Sequence, residues 1–417
     1  MALDSDKGGP MYRLVDGKRL RCGYTTGTCA AAAAKAAAAL LLLGKGKRGA
    51  AFPPLLPPVL PVEVATPSGR TFCLVPEDLQ TGEGWASCAV RKDAGDDPDV
   101  TNGVLVYAKV EKSAGEGITI DGGLGVGRVT KPGLDRKPGE AAINTTPRKM
   151  ISALCREVCE EAGYGGGLMV TISIPAGIEL AHRTFNPKVG VVGGISVLGT
   201  SGLVEPMSEK AYVDSMRIEI RQLYEEGARE LLVLVGNFAR DFAFGTLGLQ
   251  AVPSVKCSNF IGAAFEIASE LRFTRVLLVG HLGKIVKLGI GITNTHSSNG
   301  DGRIETLIAC ALEAGAGIET LRNIAACVST DAIVNILEGA GFLASSMGIL
   351  EKRISETLRR HSSDGTETGF IVFCKETGAV QGGAEKGDDA AREGKIVAQS
   401  GNARALVEAL ARGGAYG

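Results

Sequence analysis

Aromatic side chains are scarce in this chain of 417 residues: Phe, Trp and Tyr make up 5% of it, with a single tryptophan. Surfaces that stack nucleobases are built from such rings, so a single-stranded nucleic-acid platform is excluded. Neither charge sign is in excess, since 45 Lys and Arg stand against 46 Asp and Glu. A polyanionic ligand therefore has to be met by a local basic patch and not by the field of the whole protein. The Ala/Leu-rich run 30–43 is interrupted by Lys35 and falls short of the about 20 apolar residues that span a bilayer. No CxxC pair occurs among the ten cysteines, and no His/Cys cluster has zinc-ligand spacing. Free thiols in a reducing, cytoplasmic protein are the expectation. A G-x-x-x-x-G-K-[ST] phosphate loop is also missing.

Glycine, by contrast, is abundant at 58 residues, which implies many tight turns and close backbone approaches. The most telling stretch is 20–39, LRCGYTTGTCAAAAAKAAAA, where a Gly/Thr turn runs into an alanine helix. Thr25, Thr26 and Thr28 supply side-chain oxygens where the first helical N–H groups lack partners. Such a helix start suits an anion or a cofactor, and it is equally a well-capped helix packed through small residues. The length exceeds one comfortable core, so two domains are expected. Up to residue 188 hairpins and helices mix, which predicts an α+β domain over 11–188, with the five prolines of 50–61 forming an extended surface insertion. From 189 short apolar strands alternate with helices, which predicts an open, mostly parallel α/β sheet over 189–381 with helices on both faces. Ligands in such sheets sit beyond the carboxyl ends of the strands, here GGISVLG, GNFARD and GHLGK. The tail 382–417 is expected to be mobile apart from a short helix near 403–412.

Several groups could carry chemistry. Asp93, Asp96, Asp97 and Asp99 lack calcium-loop spacing. They form either an Asp-rich turn bonded to nearby N–H groups or a crowded site in which one carboxyl is raised to act as a general base. Asp96 and Asp97 are the candidates for that base. The G-x-G-x-G of 122–127 is weak evidence for nucleotide binding, but Arg128 and Lys131 beside it suit carboxylates. The best cofactor loop is VVGGISVLGTSG (191–202), with Gly193, Gly194, Gly199, Thr200 and Gly202 allowing close approach and Glu205 facing a ribose or a sulfonium. The competing reading is a glycine-rich crossing between domains. His281, after a buried strand and near Lys284, and His296, near Asn294 and Asp301, fall in loops that follow the sheet. His182 and His361 read as structural.

The strings GYTTGTCAAAAAKAA (23–37), VRKDAGDDPDVTNG (90–103), GLGVGRVTKPGL (123–134), PRKMI (147–151), TFNPKVGVVGGISVLGTSGLVEPMSE (184–209), VKCSNFIG (255–262), VLLVGHLGKIVKL (276–288) and NTHS (294–297) resemble, in the same order, those of the cobalt-precorrin-5B C1-methyltransferases of anaerobic cobalamin synthesis. The resemblance implies methyl transfer from S-adenosylmethionine to C1 of cobalt-precorrin-5B, giving cobalt-precorrin-6A. It further implies an N-terminal α+β domain like that of ribosomal protein S5, joined to an α/β domain. No protein metal is implied, because cobalt arrives inside the substrate. The acetate and propionate arms of that substrate call for cations, and Arg128, Lys131, Arg148, Lys188, Lys256 and Lys284 lie in matching motifs. Thr25, Thr26, Thr28 and His296 are further candidate substrate contacts. Asp96, Asp97 or His281 would take up a proton or orient the ring. Other enzymes of the cobalamin pathway are conceivable partners. Gly199→Val is expected to abolish donor binding in a folded protein. The alternatives are a non-catalytic carrier of corrinoid intermediates and a phosphate-handling enzyme. The chain departs from the family pattern at GEAAINTTPRKM (139–150), commonly GEPAINPVPRKM, and at SSNGDGRIE (297–305), which weakens a role for Asp301.

Overall fold

The computed structural model describes residues 10–15, 17–43, 61–375 and 394–413. The proline-rich stretch expected at 50–61 lies outside the described residues except for Pro61. The chain divides into two compact units, Met1–Ser208 and Glu209–Gly417.

The N-terminal unit is built on a five-stranded mixed sheet. Glu77–Gly82, Trp85–Arg91 and Leu105–Ser113 run as an antiparallel meander. Gly167–Ser173 joins antiparallel to Leu105–Ser113 and parallel to Ile118–Gly122. Side chains alternate as a half-buried sheet requires: Val106, Ala108 and Val110 point inward while Tyr107 and Lys109 stay partly exposed. The helices Thr26–Leu42 and Thr145–Ala162 cover the inner face. Ala30–Ala34, Ala37 and Ala38 are fully buried, so the first helix packs at a distance only small side chains permit. The second helix buries Ile151, Leu154, Cys155 and Val158 and ends at Gly163 in the left-handed conformation.

Residues 191–204 fold back into this unit. Val191–Val192 pairs with Arg128–Val129, Gly194–Ile195 with Gly125–Val126, and Leu203–Val204 with Gly23–Tyr24. The division therefore falls at Ser208/Glu209 and not at the expected 188/189. Two-residue ladders bind the apolar run VGVV locally instead of opening a second sheet.

In the C-terminal unit the strands Ser254–Lys256, Glu230–Leu234, Arg275–His281 and Glu367–Lys375 lie side by side and parallel, with Gly394–Gln399 antiparallel at the edge. The strands read as unbroken apolar runs because both faces are covered. Leu231, Val233, Val276, Leu278 and Phe370 pack with Phe265 and Leu350 on one side. Leu232, Leu234, Leu277, Val279 and Phe373 pack with Phe242, Leu406 and Leu410 on the other. The protein is thus a mixed α/β structure. In its described part the C-terminal segment is not a mobile tail: Gly394–Gln399 extends the sheet, and Ala403, Leu406 and Leu410 of the helix Ala403–Gly413 are at most 1% exposed. Apolar residues spaced three and four apart give that short helix a face to bury. Among the described residues no helix is long and apolar enough to cross a membrane.

Candidate active site

In the N-terminal unit three separated motifs meet at the start of the alanine helix. Gly23 lies against Asp93 and Ala94 so closely that a Cβ would come within 2.2 Å of the Asp93 carbonyl oxygen. Gly95, at φ +67°, meets the Arg21 carbonyl in the same way. Only glycine permits these approaches. Thr25 caps the helix, its Oγ1 accepting from the Thr28 N–H at 3.2 Å. The Thr28 hydroxyl donates to the Gly202 carbonyl at 2.7 Å, and Thr26 Oγ1 accepts from the Leu198 N–H at 3.0 Å. The Gly27 N–H donates to the Leu198 carbonyl. All three threonines are buried. The Thr26 and Thr28 hydroxyls and the Gly27 N–H thus tie the helix start to the 198–202 loop, while the Thr25 hydroxyl bonds Thr28 within the turn. Buried Cys29, at the same helix start, is no nucleophile either, since burial pushes its thiol up to about 12.

The loop in turn is shaped by its glycines. A Cβ on Gly199, at φ +139°, would sit 2.3 Å from Thr25 Oγ1, and one on Gly202 would meet Thr66. Gly194 abuts the Gly125 carbonyl. Packing alone therefore requires glycine at these three positions. Gly193, at φ +81°, has open space around it, and Thr200 and Glu205 are exposed. Arg13 lies 3.7 Å from Glu205.

The acidic segment is partitioned among separate partners. Asp93 takes both terminal nitrogens of Arg21, at 2.6 and 2.7 Å, and this holds its carboxyl below the usual carboxylate range. Asp96 accepts from the Arg21 N–H at 2.6 Å. Asp97 accepts from the Met207 N–H at 3.0 Å through one oxygen. Its second oxygen has no partner among the described residues. Asp99 pairs with buried Lys92; burial pulls its carboxyl up, but Lys92 and the Thr101 donors outweigh that and leave it lowered. Arg21 and Lys92 thus divide the cluster, Arg21 pairing with Asp93 and Lys92 with Asp99.

The remaining candidates of this unit are distributed around the glycine strip 122–133. Gly123, Gly125 and Gly127 contact Ser173, Ile174 and Val191, so this G-x-G-x-G is a packing element. Arg128 forms a two-point pair with Asp121 at 2.8 and 2.9 Å. The Lys131 side chain runs beside Gly190. Lys188 sits over the Phe185 ring at 5.7 Å. Arg148 donates from Nε to the Ile143 carbonyl and from Nη1 to the Ile120 carbonyl, both at 2.8 Å. Burial, reinforced by neighbouring Arg136, lowers its pKa. Arg148 also lines a pocket of about 330 Å³ with Arg136, Thr145, Lys149, Ser152 and Arg156.

In the C-terminal unit, Lys256 and His281 end parallel strands. Lys256 Nζ donates to Asn237 Oδ1 at 3.1 Å. His281 caps the helix Leu282–Ile285, its Nδ1 accepting from the Gly283 N–H at 3.1 Å. The neutral ring therefore carries its proton on Nε2, which lies 3.3 Å from Asp331 Oδ1. Asp331 was invisible to the sequence reading, because it arrives from a separate helix, Thr330–Gly339. Lys284 follows in the same short helix as the His281 cap. His296 bonds the Ser298 hydroxyl through Nδ1 at 2.7 Å and caps its own turn. Asp301 pairs with Arg303.

Burial lowers the His281 pKa, with Asp331 opposing only in part. A histidine whose folded pKa lies below its unfolded value of about 6.5 contributes stability above that pH and loses it as pH falls. The thermal midpoint of the protein is expected to drop between pH 7 and pH 5, and to drop less in His281→Asn. Parallel pH profiles for the two proteins would remove His281 from this dependence.

Residues 13–206 match the family model described as CbiD, and residues 294–383 match the model described as CbiD, C-terminal domain. The cobalt-precorrin-5B C(1)-methyltransferase of Ruminiclostridium cellulolyticum is 48% identical over 342 residues, 82% of this chain and 86% of that protein. Its counterpart from Thermoanaerobacter sp. is 44% identical over 79% of this chain and 86% of that protein. The chain belongs to the CbiD family. A crystal structure titled cobalamin biosynthesis protein (cbiD), from Archaeoglobus fulgidus, is 30% identical and covers 70% of this chain and 87% of that chain at a TM-score of 0.36. The first CbiD match takes in the threonine turn, the acidic segment and the 193–205 loop, so all three converging motifs lie within it. The C-terminal CbiD match begins at Asn294 and takes in His296 and Asp331 but not His281.

Proposed function

We propose that this protein methylates C1 of cobalt-precorrin-5B with S-adenosylmethionine as donor, giving cobalt-precorrin-6A, in the cytoplasm and within cobalamin synthesis. The observation that carries this reading is the meeting of three motifs at the start of the helix Thr26–Leu42, inside the span matched by CbiD. The donor, when bound, supplies an electrophilic methyl group on a sulfonium. The chain's task is to align the ring carbon with that methyl and to keep water out. The ring gains the positive charge that the sulfur gives up, and a proton leaving the macrocycle relieves it. Asp97 suits the role of proton acceptor, since one oxygen is anchored on the Met207 N–H and the other is unpartnered among the described residues. Asp96, exposed and bonded to the Arg21 N–H, has a positioning role on the same turn.

For the donor, the packed glycines of the 193–202 loop do not fit, but its rim does. Gly193 leaves its backbone open, the Thr200 hydroxyl is exposed, and the Glu205 carboxylate suits a cationic sulfur. The finer architecture of the N-terminal unit is proposed to be S5-like, a reading supported by two helices on one face of a mixed sheet that contains a parallel β–α–β crossover.

The test is transfer of labelled methyl from S-adenosylmethionine to cobalt-precorrin-5B, together with calorimetry of donor binding. The expected result is stoichiometric methylation and a weaker donor complex in Glu205→Gln. Absence of both transfer and donor binding would overturn the reaction. Loss of donor binding in Lys256→Ala with none in Glu205→Gln would move the donor to the carboxyl end of the parallel sheet.

A further inference from the structure

The pocket on the exposed side of the helix Thr145–Ala162 belongs to none of the converging motifs. Its volume of about 330 Å³ is at the small end of ligand-sized cavities. Arg148, Ser152 and Arg156 recur every four residues and so share one helical stripe, with Lys149 beside it. Arg136 reaches the same space from the preceding loop. Four cations thus line one opening in a protein whose net charge is only −1.

Their neutralisation is incomplete. Glu140 takes one terminal nitrogen of Arg136 at 2.8 Å, and Asp135 is occupied by the N–H and hydroxyl of Thr145. Buried Arg136 Nε has no hydrogen-bond partner. Lys149 and Arg156 have neither an ion pair nor a hydrogen bond among the described residues. Arg148 is held in place by two backbone carbonyls, so its charge is fixed without being cancelled. A buried donor left without a partner costs free energy unless something accepts from it. Planar guanidinium groups at fixed positions match the geometry of carboxylate and phosphate oxygens.

We propose that this pocket binds a ligand carrying two or more oxyanion groups, with Arg136 and Arg148 as fixed donors and Lys149 and Arg156 as the cations that close on it. Carboxylates and phosphates share this chemistry. The acetate and propionate arms of the corrinoid proposed above meet the description; that identification rests on the proposed reaction, whereas the anion site rests on the four cations.

The experiment is calorimetry of the full-length protein with citrate and, separately, with inorganic pyrophosphate, at two salt concentrations. One saturable site is expected, weakened at least about tenfold in the Lys149→Gln/Arg156→Gln double variant. Both side chains are exposed, so the fold, checked by circular dichroism, is expected to stay intact. Tighter citrate binding assigns the site to carboxylates and tighter pyrophosphate binding to phosphates. No saturable binding of either, or equal binding by the double variant, overturns the proposal. If the corrinoid arms are the ligand, the double variant raises the corrinoid KM with kcat nearly unchanged. An unchanged KM alongside lost citrate binding overturns that identification and leaves the anion site standing. Failure of the unaltered protein to transfer methyl, with citrate still bound, overturns the reaction instead.

Discussion

Valine at position 199 is expected to destabilise the N-terminal unit, and not simply to empty a donor site in a folded protein. Gly199 has φ +139°, a conformation that β-branched residues avoid, and its added Cβ would lie 2.3 Å from Thr25 Oγ1. Thr25 cannot yield cheaply, because it caps the helix Thr26–Leu42 and is itself 6% exposed. Backbone strain of about 1–3 kcal/mol adds to overpacking of about 1–3 kcal/mol. That is a large share of the about 5–15 kcal/mol that holds a typical protein together. The thermal midpoint is expected to fall by about 5–20 °C, and protease sensitivity to rise around residues 190–205. Gly193→Ala is the control: φ is also positive at +81°, but nothing lies within 4 Å of the new methyl group, so only about 1–2 kcal/mol of backbone cost remains. An unshifted midpoint for Gly199→Val, coupled with lost donor binding, would restore the loop as a donor cradle.

The glycine and threonine strings were legible as important, but their partners were not. Gly23 needs Asp93 to explain it, and Gly199 needs Thr25; contacts between such distant segments leave no periodic trace in a sequence. The same holds for the acidic turn, whose crowding is relieved by Arg21 and Lys92, cations that the expectation of a raised carboxyl left out. The parallel strands were readable because burial on both faces forces unbroken apolar runs such as Leu231–Val235. The domain boundary was not, because a ladder of two residues, as at Val191–Val192, looks the same as the first strand of a new sheet. The basic pocket lay between these cases. Of its lining only Arg148 stood out in the sequence, as part of a matching motif; Ser152 and Arg156 join it at helical spacing, and Arg136 joins only through the conformation of a loop.

Asp97→Asn is expected to slow methyl transfer by about 10²–10⁴-fold, the range in which a positioned proton acceptor contributes. The amide keeps the shape of the carboxylate, and its oxygen can still accept from the Met207 N–H, so the turn should remain in place. What is lost is the negative oxygen without a partner. Donor affinity by calorimetry and the thermal midpoint are therefore expected to stay close to those of the unaltered protein, while kcat falls. Asp93→Asn separates geometry from charge on the same turn. It weakens the two-point bond to Arg21, which holds the Asp93 carboxyl below its usual range, and its expected loss is in stability, full near neutral pH and shrinking as acid protonates Asp93 in the unaltered protein. Equal losses of rate, donor affinity and stability in Asp97→Asn would make Asp97 a structural residue. A full rate would move the proton acceptor elsewhere on the protein or onto solvent.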